Sequence, residues 1–250
     1  MAILEKLPAG FLLLYKEWLE AKLSQYPVDV KTFRRNDRDK DYYLVKYLNG
    51  KRMQLSCNTA HAQETVNNYK KREVIQSRIN ELERILDRNP FIPTPTLSNT
   101  VLNSNDIAFF ETLYKNTKQN NESSTNKIII PHADFYVRSK SEDAACCVYD
   151  DFGTEYCYEP HLTELQLIPD FATSIPFLNM FFLHEHFGII DDPKYRARFL
   201  KKLNTYIDAG FIPGKNLLIT FETRTNPVNK EYFENKIAAF ITNAYFDRVK

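Results

Sequence analysis

Apolar residues at helical spacing surround a strand-like segment in the first ninety positions. A first helix is expected to end before Pro27, because apolar residues recur along it at near-helical spacing: Leu12, Leu13, Trp18, Leu19 and Leu23. Residues 41–48 are rich in β-forming side chains, and Asn49-Gly50 followed by residues 51–56 predicts a hairpin. These segments predict an N-terminal module of helices and a β-hairpin.

One long charged helix is predicted over residues 59–88. Its apolar seam is formed by Ile75, Ile79, Leu82 and Leu86. The seam either packs against the first helix or its own domain, or makes a homodimer or protein-partner contact through residues 66–88. Because the proline-rich run 89–95 ends the helix, we expect the N-terminal module over residues 1–95 and a second domain over residues 96–250.

The second half of the chain alternates between helix and strand. After a short helix at residues 106–116 and a polar loop at residues 117–126, helices are predicted at residues 139–152, 193–209 and 230–246. Strands are predicted at residues 155–159, 168–174, 177–187 and 216–221. Helices interleaved with apolar strands are typical of an α/β domain with a mixed sheet.

Composition narrows the class of protein. Apolar residues make up 43% of the chain, which is typical of a folded protein. The net charge of +1 gives no uniform positive field, so a polyanion would have to bind local basic patches such as residues 34–38, 70–72 and 194–202. No apolar run approaches the roughly 18 residues that a membrane span needs, so no membrane contact is expected.

The four cysteines indicate reducing surroundings rather than a metal site. They are Cys57, Cys146, Cys147 and Cys157, and because none of them forms a CxxC pair, a zinc site is not expected. The apolar run around Cys146-Cys147 predicts a buried helix with reduced thiols, which fits a cytoplasmic location. No signal peptide is predicted, since charges come early and the apolar stretch at residues 11–14 is short.

Glu185 is the electrostatic anomaly of the sequence. It lies within the apolar run of residues 177–190, where an unpaired buried carboxylate costs many kcal/mol. A structural Glu185 would pair with a buried Arg or Lys, or with His184 or His186. Alternatively, Glu185 shares Mg²⁺ or Mn²⁺ with Asp170, which stands at the start of a neighbouring strand.

Glu142 and the two histidines next to Glu185 need not take part in metal binding. Ser139 and Glu142 fit the S-x-x-E capping box, which would account for Glu142 without any chemistry. His184 and His186 share one face of a strand while Glu185 points to the other. The three side chains therefore cannot bind one zinc ion without a bulge.

Four short motifs occur in order between Tyr136 and Glu222, about a third of the chain. They are Arg138–Glu142 (RSKSE), Pro169–Phe171 (PDF), Glu185–Gly188 (EHFG), and Lys202 with Tyr206. In these motifs the chain resembles the PD-(D/E)XK nuclease superfamily. The resemblance implies a restriction-endonuclease-like mixed sheet flanked by helices, and a metal-dependent phosphodiesterase activity that we expect on DNA.

The resemblance also implies roles for individual residues. Asp170 and Glu185 would hold Mg²⁺ or Mn²⁺, with the His186 carbonyl as a further ligand, and Glu142 would contact the metal or its water. The implied catalytic residues are Glu142, Asp170, Glu185 and Lys202. The implied contacts to nucleic acid are Arg138, Lys140, Arg198, Lys201 and Tyr206.

One position departs from the superfamily. The lysine expected two residues after Glu185 is replaced by Phe187, which can neither carry a positive charge nor orient a water. Lys202, one turn before Tyr206 on the next helix, is the expected substitute, since this lysine has migrated to a helix in some members; otherwise it is an exposed helix lysine. We expect a Mg²⁺-dependent nuclease, or else a catalytically inactive nuclease-fold protein that binds nucleic acid or serves in assembly.

Overall fold

The computed structural model describes residues 3–26, 32–35, 42–55, 59–88, 92, 95–98, 106–117, 130–133 and 135–249. Its backbone forms two compact units. The first is Leu12–Ile92, and the second combines Met1–Phe11 with Pro93–Lys250.

Helices and a small antiparallel sheet make up the described part of the Leu12–Ile92 unit. Helix α1 is Ala9–Leu23, of which all but the first turn belongs to this unit, and helix α2 is Ala60–Leu86. The strands, in the order β1-β2-β3, are Thr32–Arg35, Tyr42–Leu48 and Lys51–Leu55. The predicted hairpin is confirmed, since Asn49 and Gly50 both have positive φ, as a two-residue turn of type I′ requires. Strand β1 is absent from the sequence prediction.

Packing inside the chain covers the apolar seam of α2. Ile75, Ile79 and Leu82 are buried, and Ile85 rather than Leu86 continues the buried face. Because residues of the same chain cover the seam, the structure favours packing against the first helix or the helix's own domain. A dimer or partner contact through this helix stays a prediction.

The second unit is mixed α/β, as predicted. Its described helices are α3 (Asp106–Thr117), α4 (Lys140–Phe152), α5 (Pro193–Asp208) and α6 (Lys230–Phe246). A two-stranded hairpin, which the sequence did not predict, is formed by β4 (Ile130–His132) and β5 (Phe135–Val137). The polar loop predicted at residues 117–126 lies outside the described residues beyond Thr117.

A four-stranded mixed sheet forms the centre of this unit. Its order is β6-β7-β8-β9, with strands Tyr156–Tyr158, Phe171–Ile175, Met180–Phe187 and Leu217–Phe221. Strand β7 is antiparallel to β6 and β8, whereas β9 is parallel to β8 because helix α5 carries the chain back between them. The main sheet is therefore built around β7 and β8.

Two strand boundaries differ from the sequence prediction. The apolar run predicted as a strand from residue 177 is extended only from Met180, because Pro176–Leu178 forms a 3₁₀ turn and Asn179 adopts a φ of 46°. The strand predicted from residue 168 begins at Phe171. Asp170 consequently stands at the end of the sheet rather than within a strand.

Helices cover both faces of the main sheet, and alternation along β8 assigns its side chains to one face or the other. Leu183 belongs to a buried cluster with Leu113 of α3 and Tyr206 of α5. On the opposite face, Phe182 packs on Phe240 of α6 with ring centroids 4.9 Å apart. All residues of β8 are buried. Any charged side chain on this strand therefore lies inside the protein.

Candidate active site

Strands β7 and β8 bring Asp170 and Glu185 together. Phe171 pairs with His184, and continuing this antiparallel register by one residue sets Asp170 opposite Glu185 on the same face. The two residues are 6% and 3% exposed. Asp170 Oδ2 accepts a hydrogen bond of 2.7 Å from the His186 backbone N–H, which fixes this carboxylate at the end of the sheet.

Helix α5 supplies the partners of Glu185. The Lys202 ammonium forms a salt bridge with Glu185 Oε1 and donates a 2.9 Å hydrogen bond to the Ile168 carbonyl. The Tyr206 hydroxyl donates to Glu185 Oε2 at 2.6 Å. Positions i and i+4 of a helix share a face, which is why Lys202 and Tyr206 reach the same carboxylate. We call Asp170, Glu185 and Lys202 the acid site.

Glu142 enters from the first turn of α4. Ser139 caps this helix by accepting a 3.1 Å hydrogen bond from the Glu142 N–H. The Glu142 carboxylate does not return to the Ser139 amide, as a full capping box would require. Its Oε2 accepts instead from the Arg138 N–H at 2.8 Å and from the Tyr158 hydroxyl at 2.6 Å. The capping explanation therefore accounts for the backbone of this turn but not for the Glu142 side chain.

Arg138 connects the acid site to the strand β6 side of the sheet. Its guanidinium forms a salt bridge with Glu159 and lies 3.7 Å from Asp170 Oδ1. The side chains of Arg138 and Lys202 are 34% and 33% exposed, so the acid site reaches solvent on their side. Arg138 is the nearest cation to Asp170 Oδ1 among the described residues, and it pairs with this oxygen only at long range.

Burial and like charge make the acid site electrostatically costly. Burial raises the pKa of Asp170 well above its usual range, the Glu185 carboxylate raises it further, and Lys202 opposes the rise. Burial also raises the pKa of Glu185, against the lowering effect of the Lys202 ammonium. One lysine therefore does not fully compensate two buried acids, and a bound cation would stabilise both ionised carboxylates.

The two histidines of β8 point away from the acid site. The Thr220 hydroxyl of β9 lies 2.9 Å from His184 Nε2 and 2.9 Å from His186 Nδ1, which joins the two rings on the opposite face. Burial lowers the pKa of both imidazoles. The geometry agrees with the expectation from strand alternation that His184, Glu185 and His186 do not share a zinc ion.

The backbone of His186 does face the acid site. The N–H and C=O of one strand residue point to the same edge of the strand, and the His186 N–H is bonded to Asp170. Its carbonyl therefore points to the edge where Asp170 lies. Oxygen ligands of this kind suit Mg²⁺, which is usually held by one or two carboxylates and otherwise by water.

The acids present fit a two-carboxylate site better than a three-carboxylate one. Within the described ranges, His132, Asp143 and Cys147 are the only trio of metal-ligating side chains whose ligand atoms lie within 4.8 Å of one another. Glu142 therefore does not complete such a trio with Asp170 and Glu185. The fit to Mg²⁺ rests on these two carboxylates and the His186 carbonyl.

The residues predicted to contact nucleic acid differ in their exposure to solvent. Lys140, Arg198 and Lys201 are exposed, and Arg138 is partly so. Tyr206 is fully buried with its hydroxyl bonded to Glu185, so it positions the acid and cannot contact nucleic acid in this conformation. That prediction is corrected because the side of α5 that carries Tyr206 packs on the sheet.

Sequence reasoning missed three residues around these acids. Tyr158 bonds Glu142, and Glu159 forms a salt bridge with Arg138. Tyr195 of α5 is half-buried, and its pKa is raised first by burial and then by the carboxylates of Asp170 and Glu185. None of the three stands out in the sequence, because an aromatic or acidic residue at a strand end or helix start is ordinary.

The chain matches no protein-family model, no curated protein and no solved structure. Among the described residues, no helix has both the length and the apolar character that crossing a membrane requires. Function is therefore inferred from the side chains that meet at the acid site.

Proposed function

We propose that this chain is a Mg²⁺-dependent nuclease that hydrolyses phosphodiester bonds in DNA. The observation that carries the proposal is the convergence of Asp170, Glu185 and Lys202 at the end of two neighbouring buried strands. A mixed sheet with helices on both faces is also the architecture that the resemblance to PD-(D/E)XK nucleases implies. The finer assignment to a restriction-endonuclease-like fold is part of the same proposal.

Each residue of the acid site has a chemical role in this proposal. Asp170, Glu185 and the His186 carbonyl would hold Mg²⁺. When bound there, Mg²⁺ lowers the pKa of a water and neutralises charge on the attacked phosphate. Lys202, fixed by Glu185 and the Ile168 carbonyl, presents its remaining N–H donor to the negative charge that develops on the phosphate.

The neighbours of the acid site hold its geometry. Tyr206 occupies Glu185 Oε2, which limits rotation of that carboxylate while each oxygen keeps a second lone pair for a ligand. Glu142 fixes the Arg138 backbone, and this places the guanidinium near Asp170. These contacts pre-position the charges before any substrate binds.

The outer side of α5 offers phosphate contacts next to the acid site. Arg196, Arg198 and Lys201 are exposed on the helix that carries Lys202. Phosphate contacts of this kind position a duplex without reading its sequence, and they weaken as salt rises. They support a polyanionic substrate despite a net charge of only +1.

A second candidate function is binding without catalysis. The observation that favours it is Phe187, which shares the Glu185 face of β8 and packs between aromatic rings, 4.6 Å from Phe199 and 6.0 Å from Phe221. An aromatic residue at this position leaves Lys202 as the one lysine that reaches Glu185 among the described residues. If Lys202 does not serve, the protein binds nucleic acid or a protein partner and cleaves nothing.

Hydrolysis assays separate these two functions. Supercoiled and linear DNA, single-stranded DNA and RNA are incubated with the full chain in Mg²⁺ or Mn²⁺, beside Asp170→Ala, Glu185→Ala and the double variant. Asp208→Ala, which removes an exposed acid at the end of α5, is the matched control. We expect cleavage of DNA by the wild type and the control but not by the three variants. Wild type and double variant leaving every substrate equally intact would exclude the nuclease, and retained binding would then support the second function.

A further inference from the structure

A second group of metal-ligating side chains, which shares no residue with the acid site, lies between the β4–β5 hairpin and helix α4. His132 is buried at the end of β4, and Asp143 and Cys147 are one turn apart on α4. His132 Nδ1 lies 2.7 Å from Asp143 Oδ1. One ligand atom from each of the three side chains lies within 4.8 Å of the other two.

Asp150, one turn after Cys147 on the same face of α4, orients the His132 ring. Its Oδ2 lies 2.8 Å from His132 Nε2, and its Oδ1 accepts a 3.3 Å hydrogen bond from the Tyr156 hydroxyl. In metal sites, a ligating histidine usually donates its other ring N–H to a carboxylate, which fixes the tautomer and frees the first nitrogen for the metal. Asp150 occupies that place, so His132 Nδ1 is turned towards Asp143 and Cys147.

We propose that His132, Asp143 and Cys147 bind a zinc-class divalent cation, with water as the fourth ligand. The donor set is one nitrogen, one carboxylate oxygen and one sulfur, which suits Zn²⁺ and excludes Mg²⁺ as the preferred ion. In the tautomer that Asp150 fixes, Nε2 keeps its proton and Nδ1 offers its lone pair, so on binding the Cys147 thiol releases one proton to solvent and becomes the thiolate ligand. Cys147 is partly exposed, so an ion can reach it.

The competing explanation is a simple ion-pair clasp. A protonated His132 between Asp143 and Asp150 would also hold the hairpin to α4, since both ring nitrogens face a carboxylate. Helix spacing alone sets Cys147 beside Asp143, because residues i and i+4 share a face. His132 reaches the same point from the hairpin, so nitrogen, oxygen and sulfur donors from two separate elements meet within 4.8 Å. This mixed set of donors, which the ion pairs alone do not need, is what favours a metal.

A cation here would fix the start of α4. Strand β5 leads directly into Arg138 and the Ser139 cap, and β4 is tied to the middle of the same helix through His132. Binding therefore closes the hairpin against the helix that follows it. In this proposal the cation holds the hairpin against α4, and the site does not depend on the nuclease assignment.

Cobalt is the probe that reports on the sulfur ligand. The full chain is treated with chelator and titrated with Co²⁺, and a thiolate-to-cobalt charge-transfer band is followed in the near-ultraviolet. We expect a band that saturates at one ion per chain and that Zn²⁺ displaces. Cys147→Ala should abolish the band, and Asp150→Asn should weaken metal affinity about 10–100-fold because it supports the ligating ring.

Matched variants keep the test specific. Cys146→Ala changes the adjacent but buried cysteine and should keep the band, as should Asp170→Ala, whose site is the proposed Mg²⁺ site. If Cys147→Ala does not fold, protection of Cys147 from alkylation by Zn²⁺ in the wild type, mapped by mass spectrometry, gives the same answer. The proposal is overturned if the wild type shows no thiolate band or no protection, or if a folded Cys147→Ala binds Co²⁺ as the wild type does.

Discussion

Replacing Lys202 by methionine tests the assignment on which the nuclease proposal depends most. The substitution keeps the aliphatic stem and removes the ammonium that bonds Glu185 Oε1 and the Ile168 carbonyl. Losing one positioned donor at a developing negative charge typically lowers turnover about 10²–10³-fold. We expect a loss of that size for Lys202→Met.

The same substitution has a smaller effect on folding. Breaking a fully buried ion pair costs about 3–5 kcal/mol, whereas an exposed pair contributes at most about 1 kcal/mol. Because Lys202 is 33% exposed and Glu185 only 5% by side chain, we expect Lys202→Met to lower the free energy of unfolding by about 1–3 kcal/mol. Metal affinity should be retained, since the ammonium no longer competes for Glu185 Oε1.

Single-turnover cleavage at saturating Mg²⁺ measures the chemical step, and Mg²⁺ titration measures the affinity separately. Lys215→Met is the control, because it removes an exposed lysine that lies outside α5 and its proposed phosphate contacts. Turnover by Lys202→Met equal to that of Lys215→Met would refute a catalytic role for Lys202. A loss of metal affinity that fully explains the lower rate would place Lys202 among the groups that shape the metal site.

Three further predictions concern the charge of Asp170, the phosphate contacts of α5 and the hydrogen bonds of Thr220. In chelator, burial raises the pKa of Asp170 above its ordinary value of 3.8, so at a pH between the two values the folded protein binds a proton that the unfolded chain has lost. The contribution of Asp170 to stability should therefore fall as the pH rises from 3.8 through the raised pKa of the folded protein. Asp170→Asn, which cannot ionise, should stabilise the metal-free protein at pH 8 by about 0.5–2 kcal/mol in urea unfolding while abolishing cleavage. Replacing Arg198 and Lys201 by glutamine should make the salt dependence of DNA affinity shallower by about 0.9 per lost contact, and an unchanged slope would exclude them as phosphate contacts. Thr220→Val, which leaves two buried imidazoles without their shared hydroxyl, should cost about 1–3 kcal/mol in thermal or urea unfolding, whereas Thr205→Val on α5 should cost little.

Secondary structure was predictable wherever one local signal dominated. The predicted helix at residues 230–246 has the bounds of α6, because Asn229 caps its start with a side-chain oxygen and apolar residues recur at helical spacing. Strand β1 and the β4–β5 hairpin were missed because three or four residues give too little alternation, and β6, which is as short, was predicted only within the longer segment 155–159. The start of β8 was misplaced because a 3₁₀ turn that begins at Pro176 and the positive φ of Asn179 occupy the first residues of a run that looks continuous in the sequence.

The candidate site was predictable where a residue contradicts its surroundings. Glu185 stood out because a carboxylate within an apolar strand needs a partner, and the structure gives it both a lysine and a buried tyrosine. The contact of Tyr158 with Glu142 depends on the packing of separate elements, so no local sequence pattern predicts it. The meeting of His132, Asp143 and Cys147 was not predicted for the same reason, since cysteine spacing alone cannot indicate side chains that come together from a hairpin and a helix.

Polar groups on the face of β8 opposite Glu185 help to hold Glu185 and Glu142 in place. Thr220 joins the rings of His184 and His186, and burial lowers the pKa of both imidazoles, so this face adds no competing positive charge beneath Glu185. Glu222, directly after β9, accepts a 2.9 Å hydrogen bond from the Ser141 hydroxyl in the first turn of α4, and its other oxygen lies 3.5 Å from His186 Nε2. Ser141 directly precedes Glu142. The contacts among Ser141, Glu222, His186 and Thr220 therefore fix the position of the strand that carries Glu185 and of the helical turn that carries Glu142. Thr220→Val should therefore lower cleavage as well as stability, although Thr220 contacts neither acid.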